Sequence, residues 1–532
     1  MLQSVLYGLL FLLCAVVFSK VRSPKVRLTV LLLSSYALYL TWELWFGVVL
    51  LASTVMNFLI GKWLQRQPSG AALPTGIVLN LLLLGSFKYL PAVAVHFPLS
   101  SLQRFAHLAL PLGVSFWTFQ AMSYLFDLYR GEELDPTFFE FATYMVFFPV
   151  TISGPICRVP DMLPQFRSKE TTSWNSMEHG VRRIATGIFM VQLAKLLGTG
   201  IVAGGGVNAG FDRITHWSGG DVWCLALGCG LQLFLDFAGY SHVAIGAAQV
   251  LGFTVPENFA RPFQSTSASI FWTRWHMSLS FWIRDYIFLP LATLRREMWW
   301  RNLALVIAMV LFGLWHQATA LFLLWGFYNG VLLILHRQVQ QVQRKFSWEP
   351  PAALWTPLSW IATMAFMNLG WIFFRSGSVA QAGQMLLAIV SPASYFSHYL
   401  SGTLYLLVAG LAVGYAIALL DRRPRSLHCR RRSVANRPTR WNRGPAGSLA
   451  LVLDLAALRS GLADPADRDH DAGRRHHPAH VSHVLAFQSE RRLAASRVWT
   501  LPEEQHPSPC GRGSCPACCR RTTSESPRCA PI

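Results

Sequence analysis

Long apolar runs separated by short polar segments dominate residues 1–420. A helix needs about 20 apolar residues to cross the hydrocarbon core of a bilayer, and most of these runs approach that length. They therefore predict membrane-spanning helices, at residues 2–19, 28–40, 42–60, 73–90, 184–202, 222–238, 360–374 and 404–420. Lys20 and Arg22 follow the first run, whereas a signal peptide has its positive charge before the apolar core. The first helix is thus predicted to be uncleaved, with its C-terminal end in the cytoplasm.

Residues 271–291 have the periodicity of a single amphipathic helix. Apolar side chains recur at steps of three and four and so share one face: Trp272, Trp275, Leu279, Trp282 and Tyr286. The opposite face is more polar and contains Thr273, His276, Met277, Ser280 and Arg284. Aromatic faces favour the membrane–water interface, so the pattern alone equally fits a surface anchor helix with His276 on its water-facing side.

His316 lies within about thirty residues that contain no acidic or basic side chain, enough for one span or for two shorter helices. The second possibility would place a break near residues 313–319. Ionisable groups at membrane depth are costly, and they usually face the protein interior or a water-filled cavity and serve a function. His316 is therefore a candidate functional residue. The structural alternative is a neutral histidine that makes one hydrogen bond between helices.

Residues 111–131 are dense in aromatic side chains but also contain Gln120, Asp127 and Arg130. Polar groups at membrane depth need partners in the protein or water. This composition predicts a re-entrant or interfacial segment rather than a plain span.

Other segments predict irregular structure. Gly154 and Pro155 interrupt any helix in residues 147–158. The polar residues 158–183 predict a loop, and the glycine cluster at 204–210 predicts a turn because it lacks the GxxxxGK pattern that binds phosphate.

The composition excludes an ordinary soluble globular protein, since 53% of the 532 residues are hydrophobic and only 14% are charged. The net charge of +20 fits Lys and Arg in cytoplasmic loops. Because no polar domain has a recognisable nucleic-acid-binding motif, the lipid bilayer is the predicted partner and nucleic acid is not. The scattered Cys14, Cys157, Cys224 and Cys229 do not form a disulfide framework.

Residues 421–532 differ from the rest, because they contain six of the ten cysteines, many arginines and no lysine. This composition favours a frameshift that replaced the native C-terminus, in which case the protein would be inactive if it lacks supporting helices. A disordered basic tail is the simpler alternative. Zinc binding by His506, Cys510, Cys515 and Cys518 is a third interpretation of this segment. The adjacent Cys519 and the absence of a second ligand pair weaken it.

Four short motifs follow one another between residues 236 and 330: Gly239-Tyr240-Ser241, PENF at 256–259, RWHMSLSFWIRDY at 274–286, and Leu314-Trp315-His316. In this order and combination they resemble the membrane-bound O-acyltransferase family, in particular its alginate O-acetyltransferase branch. The similarity extends to PLGVSF at 111–116 and to Gly154-Pro155, and so covers most of residues 30–375. His242 departs from the branch, which usually has an acid at that position.

The resemblance implies an all-α polytopic membrane protein, with about 10–12 transmembrane or re-entrant helices around a central catalytic tunnel. Residues 1–420 would form this membrane domain, with the core motifs at 236–330. The family transfers acyl groups at a histidine that a donor and an acceptor reach from opposite sides of the bilayer. This implies that His316 is the general base and that His276 is its polar partner, orienting the acyl group or the hydroxyl.

The resemblance also suggests substrate-binding residues, namely Arg274, Ser280, Arg284, Asp285 and Tyr240. A structural salt link between Arg284 and a nearby acid is the alternative for the charged members. Acetyl-CoA is the implied donor, an exported polysaccharide such as alginate the acceptor, and periplasmic esterase-like proteins the partners, at a bacterial inner membrane. Neither a metal site nor a bound cofactor is expected.

Two other functions remain open at this point. A D-alanyl transferase for teichoic acid is a rival within the family, and its donor would be a carrier-protein thioester. A polysaccharide or lipid transporter is the non-enzymatic alternative, although the two halves of the sequence do not show the matching interrupted helices typical of many transporters.

Overall fold

Helices follow one another through the part of the chain that the structure, a computed structural model, describes: residues 2–67, 70–91, 94, 109–202, 205–213, 216–348 and 350–420. Within these ranges there is no β-strand, which confirms the all-α class. The segment at 421–532, with its possible zinc ligands, lies outside the described residues, and the domain boundary near residue 420 stays a prediction.

The four predicted N-terminal helices are present: α1 (Leu2–Lys20), α2 (Pro24–Leu40), α3 (Leu44–Arg66) and α4 (Ala72–Lys88). Each apolar run forms one helix because charged or turn-forming residues separate it from the next. Pro24 begins α2 at a position where a missing N–H costs nothing. These helices share an apolar core with the two that follow, α5 (Val114–Tyr129) and α6 (Phe138–Val146).

Helix α5 corresponds to the segment predicted to be re-entrant or interfacial. Its 16 residues are fewer than the roughly 20 that a span requires. It is buried on nearly all sides, and its acidic side chain has a protein partner, since Asp127 accepts a hydrogen bond from Tyr286 at 2.7 Å. The chain then lacks regular helix from Phe147 to Arg158, as Gly154 and Pro155 predict.

The predicted loop at 158–183 is wrong, because α7 (Val159–Phe166) and the start of α8 (Trp174–Thr199) occupy most of it. Both helices begin with standard signals that the polar composition obscured. Pro160 and Asp161 lie in the first turn of α7, and the Ser173 hydroxyl accepts the N–H of Ser176 at the start of α8. The predicted turn at 204–210 is wrong from Val207 onward, where α9 (Val207–Arg213) begins.

The longest helix, α10 (Gly219–Val250), extends the predicted span at 222–238 and contains the Gly-Tyr-Ser motif. Two glycine pairs bring its backbone against α8. A Cβ at Gly180 would lie 2.7 Å from the Gly246 carbonyl oxygen, and a Cβ at Gly239 would lie 2.8 Å from that of Gly187. Small residues allow such close helix contact inside a membrane, so the glycine of this motif serves packing.

Gly180→Ala is therefore expected to destabilise the protein by about 1–3 kcal/mol, because the added methyl group meets backbone atoms of α10 that cannot move aside. Gly383→Ala is the matched control, since a Cβ at Gly383 meets nothing within 4 Å. The control should be neutral or slightly stabilising, because alanine has the higher helix propensity. Thermal unfolding of the detergent-solubilised proteins measures both; equal midpoints would contradict the close packing.

The single helix predicted at 271–291 is wrong. The segment contains three short helices, α11 (Ala268–Trp272), α12 (Met277–Ile283) and α13 (Leu289–Thr293), with a π-helical turn at Arg284–Phe288. Its apolar residues are buried in the protein instead of facing an interface: Trp272, Trp275, Leu279, Trp282 and Tyr286. His276 and Ser280 are buried as well, so the surface anchor helix is also wrong.

The remaining helices are α14 (Met298–His316), α15 (Ala320–Lys345), α16 (Ala352–Arg375), α17 (Val379–Val390) and α18 (Gly402–Leu420). Helix α14 ends at His316, which confirms the alternative of two helices with a break, and α17 was not predicted. Among the described residues, five helices have the length and apolar composition to cross a membrane: α3, α10, α14, α15 and α16. Four shorter apolar helices accompany them, and the total of 10–12 stays a prediction.

Candidate active site

His276 occupies a sharp turn between α11 and α12. Its backbone is left-handed, with φ 43° and ψ 52°, a conformation that costs a non-glycine residue about 1–3 kcal/mol. Asn258 of the PENF motif holds this turn. Its carbonyl accepts the Met277 N–H at 2.9 Å, and its side-chain oxygen accepts the Ser278 hydroxyl at 2.6 Å.

The side-chain nitrogen of Asn258 donates to the Ser241 hydroxyl at 3.1 Å. Three motifs that are separate in the sequence therefore meet here: Gly-Tyr-Ser on α10, Pro-Glu-Asn-Phe in the following loop, and Arg-Trp-His at the turn. Asn258 is fully buried, so its hydrogen bonds are not replaced by water. The position of His276 thus depends on Asn258.

The His276 imidazole is almost completely enclosed, with 3% of the residue exposed. Phe237 of α10 meets it edge to face at 4.5 Å between ring centroids. Its Nδ1 atom is buried and has no hydrogen-bond partner among the described residues. His276 lies outside the five helices that are long enough to cross a membrane. Burial lowers the pKa of its imidazole well below the usual range, and the nearby His316 adds a smaller effect in the same direction. The ring is therefore neutral near pH 7 and has a nitrogen available to a ligand.

His316 is the last residue of α14 and is half-buried. Five aromatic rings surround the imidazole at 4.7–5.9 Å between centroids: Phe312, Trp315, Phe322, Trp325 and Phe374. No hydrogen bond to the imidazole is present among the described residues, so the structural alternative, a histidine bonded between helices, finds no support there. The adjoining residues 317–320 are exposed. The ring can thus be approached from the end of α14.

A continuous group of aromatic side chains connects the surroundings of the two histidines. Trp272, one turn before His276, packs against Trp325 at 5.8 Å and against Phe312 at 5.4 Å. Both of these rings also contact His316. The histidines are near enough to interact electrostatically. The structure therefore brings together the two residues that the sequence singled out.

A cluster of charged groups lies beyond His276 in the same segment. Asp285 forms ion pairs with Arg158 at 2.8 Å and with Arg284 at 2.7 Å, and its backbone carbonyl accepts a hydrogen bond from Arg130 at 2.7 Å. Burial opposes ionisation of Asp285, but the two paired arginines outweigh it and hold its pKa below the usual range. The salt link considered for Arg284 is thus present. Arg158 is a member that sequence analysis did not identify.

The other candidate residues have different surroundings. Arg274 is half-buried and has no ion pair or hydrogen bond from its guanidinium within the described part of the chain. Ser280 donates its hydroxyl to the Trp275 carbonyl at 3.0 Å, which stabilises the turn at His276. Tyr240 is half-buried against the apolar cluster of the N-terminal helices, and its neighbour Ser241 makes the contact with Asn258. Among the candidate residues, Arg274 is therefore the cation without an ion pair to the described residues.

Comparison with known proteins identifies the kind of reaction that the chain catalyses. Residues 93–378 match the model of MBOAT, the membrane-bound O-acyltransferase family. The chain belongs to the membrane-bound O-acyltransferase family. It is therefore an acyltransferase and a multi-pass membrane protein, which removes the transporter alternative.

Several curated relatives of this acyltransferase are similar over most of its length. A probable alginate O-acetylase (AlgI) of Pseudomonas syringae pv. tomato is 31% identical over 69% of the chain and 70% of the relative. A peptidoglycan O-acetyltransferase of Helicobacter pylori is 32% identical over 68% and 73%. A teichoic acid D-alanyltransferase of Bacillus subtilis is 28% identical over 58% and 79%. The two O-acetyltransferases are thus comparably similar to this acyltransferase, and the D-alanyltransferase is similar over a smaller share of the chain.

Asn258→Ala is expected to destabilise the acyltransferase by about 2 kcal/mol or more, because it leaves the buried hydroxyls of Ser241 and Ser278 without their partner. Activity should fall further than stability alone explains, since the His276 turn loosens. Asn329→Ala is the control: Asn329 is also buried, but its side chain bonds only to a carbonyl of its own helix. Unfolding midpoints and acyl transfer in membranes measure the difference. Wild-type activity for Asn258→Ala would show that the turn does not depend on this residue.

Proposed function

We propose that this acyltransferase passes an acetyl group across a bacterial inner membrane for O-acetylation of an exported polysaccharide such as alginate. The proposal rests chiefly on one observation: in a chain of this family, a half-buried His316 that has no hydrogen bond to the described residues lies near a second enclosed histidine. Alginate O-acetylases among the relatives favour an acetyl group and a polysaccharide acceptor.

In the proposed reaction, acetyl-CoA is the cytoplasmic donor and a hydroxyl group is the acceptor. The Nε2 or Nδ1 atom of neutral His316 takes the proton of the hydroxyl as its oxygen attacks the thioester carbonyl. The tetrahedral intermediate collapses with cleavage of the carbon–sulfur bond. His316 then returns the proton to the departing thiolate, so the products are an ester and free CoA. The surrounding rings limit the access of water, which would otherwise hydrolyse the thioester.

His276 supports this step as the second imidazole of the site. A neutral imidazole has one N–H donor, which can stabilise the negative charge that develops on the carbonyl oxygen. The guanidinium of Arg274, which has no ion pair within the described ranges, would bind the phosphate groups of the donor. Arg284 and Asp285 act on the site through their mutual ion pair rather than through direct contact with substrate.

A periplasmic esterase-like protein is the proposed partner that completes transfer to the polymer. The hydroxyl that first receives the acetyl group then belongs to that protein or to a carrier on the periplasmic side. The glycan of peptidoglycan is a second candidate acceptor. The peptidoglycan O-acetyltransferase of Helicobacter pylori matches the chain to the same extent as the alginate O-acetylases.

Chemical analysis of a deletion strain tests the proposal. The strain is complemented with the wild-type gene, and mild alkali releases esters separately from exported polysaccharide, peptidoglycan and teichoic acid. We expect acetate from the exported polysaccharide to depend on the gene. Gene-dependent acetate from peptidoglycan would favour the second acceptor, whereas gene-dependent D-alanine would replace acetylation by D-alanylation.

A further inference from the structure

The end of α14 at His316 is held by two side chains from a distant part of the chain. The last carbonyl groups of any α-helix have no partner within the helix. Here the Gly313 carbonyl accepts the N–H of Gln317 at 3.3 Å. The Leu314 carbonyl accepts the Tyr89 hydroxyl at 3.0 Å, and the Trp315 carbonyl accepts the Lys88 ammonium. Lys88 and Tyr89 follow directly on each other at the end of α4.

From these contacts we infer that Lys88 and Tyr89 are positioning residues for His316. They fix the two carbonyls immediately before it, and thereby the backbone from which the imidazole projects. Lys88 also lies over the Trp315 indole, 4.7 Å from the ring centroid. The Trp315 and His316 rings are in contact, with 4.7 Å between their centroids. Lys88 therefore restrains the Trp315 ring beside the proposed base as well as the backbone that carries the base. This inference rests on the proposed role of His316.

The ammonium group of Lys88 is not explained by an ion pair. The described residues include no carboxylate within ion-pairing distance of it, in contrast to Lys62, which pairs with Asp135 at 2.6 Å. A lysine at the C-terminal end of a helix is stabilised by the negative end of the helix dipole, and α14 supplies that end. The contact of Lys88 and Tyr89 with the end of α14 therefore places a cation at the helix terminus that carries the proposed base, His316.

The test compares Lys88→Met, Lys88→Arg and Tyr89→Phe with wild type, using inverted membrane vesicles that contain the full-length chain. Initial rates of acetyl transfer from acetyl-CoA give kcat and KM. A displacement of about 1 Å at a reacting group can lower the rate about 100-fold. We expect Lys88→Met to lower kcat by that order with KM nearly unchanged, Tyr89→Phe to have a smaller effect, and Lys88→Arg to restore most of the activity. Lys62→Met is the matched control and should behave as wild type.

The double variant Lys88→Met/His316→Ala separates this inference from the proposed function. If Lys88 acts through His316, the double variant should be no less active than His316→Ala alone, since effects of residues that act as a unit are not additive. Failure of Lys88→Arg to restore activity, or an unchanged kcat in Lys88→Met, overturns the inference. If His316→Ala keeps substantial activity and the added Lys88→Met change lowers it further, the inference is also wrong. That result would show in addition that His316 is not the base. Loss confined to His316→Ala, with Lys88→Met as wild type, leaves the proposed function intact and rejects only the inference.

Discussion

His316→Ala is expected to abolish gene-dependent ester formation while the protein remains in the membrane at its wild-type amount. Loss of a general base typically lowers the rate by about 10²–10⁴-fold. The side chain forms no hydrogen bond within the described residues and is half-buried, so its removal disturbs the fold little. Ester-linked acetate in the complemented deletion strain measures activity, and immunoblotting of washed membranes measures the amount of protein.

His336→Ala provides the control for this experiment. His336 is also a half-buried histidine, and it lies on α15 away from the aromatic group. We expect it to retain wild-type acetylation. If His316→Ala also retained acetylation at equal protein levels, the base would have to be another group, and the proposed reaction would be wrong.

Asp285→Ala is expected to lower the stability of the fold. It leaves Arg158 and Arg284 close together without the carboxylate that pairs with both. Removing one partner of a fully buried ion pair costs about 3–5 kcal/mol. The two arginine side chains are 27% and 26% exposed, so solvent screening reduces this cost; about 2–3 kcal/mol is expected. Thermal unfolding in detergent should show a lower midpoint than wild type.

Asp135→Ala is the corresponding control at an exposed ion pair. The Asp135 side chain is 83% exposed and pairs with Lys62, an arrangement that contributes only about 0–1 kcal/mol. Its unfolding midpoint should be close to that of wild type. An Asp285→Ala protein with a wild-type midpoint but no activity would show instead that the cluster serves the substrate.

The first four helices were predictable because charged or turn-forming residues bound each apolar run, whereas α17 was not predicted. The structure of the segment at 271–291 was not predicted either. Its side-chain spacing fits one helix, but the turn at His276 depends on hydrogen bonds from Asn258, which local periodicity cannot detect. Its aromatic face was also ambiguous, since apolar side chains in a membrane protein can face an interface, lipid or other helices.

His316 was identifiable because ionisable groups are rare in apolar sequence, and His276 because its motif resembles that of the family. Their supporting residues were not. Arg158 lies 127 positions from Asp285. Lys88, at the end of an apolar run, was indistinguishable from a lysine that sets membrane orientation. Tyr240 was chosen from its motif, whereas the neighbouring Ser241 makes the contact with Asn258. Side-chain contacts across long sequence separations were thus the information that the pattern lacked.

The contact of Lys88 and Tyr89 with the end of α14 sets a lower limit for any shortened enzyme. The region that matches the family begins at residue 93, after both of these side chains. A truncated version starting there would keep both histidines but leave two carbonyls beside His316 without their donors. A minimal catalytic unit for reconstitution must therefore include α4, even though α4 precedes the stretch that defines the family.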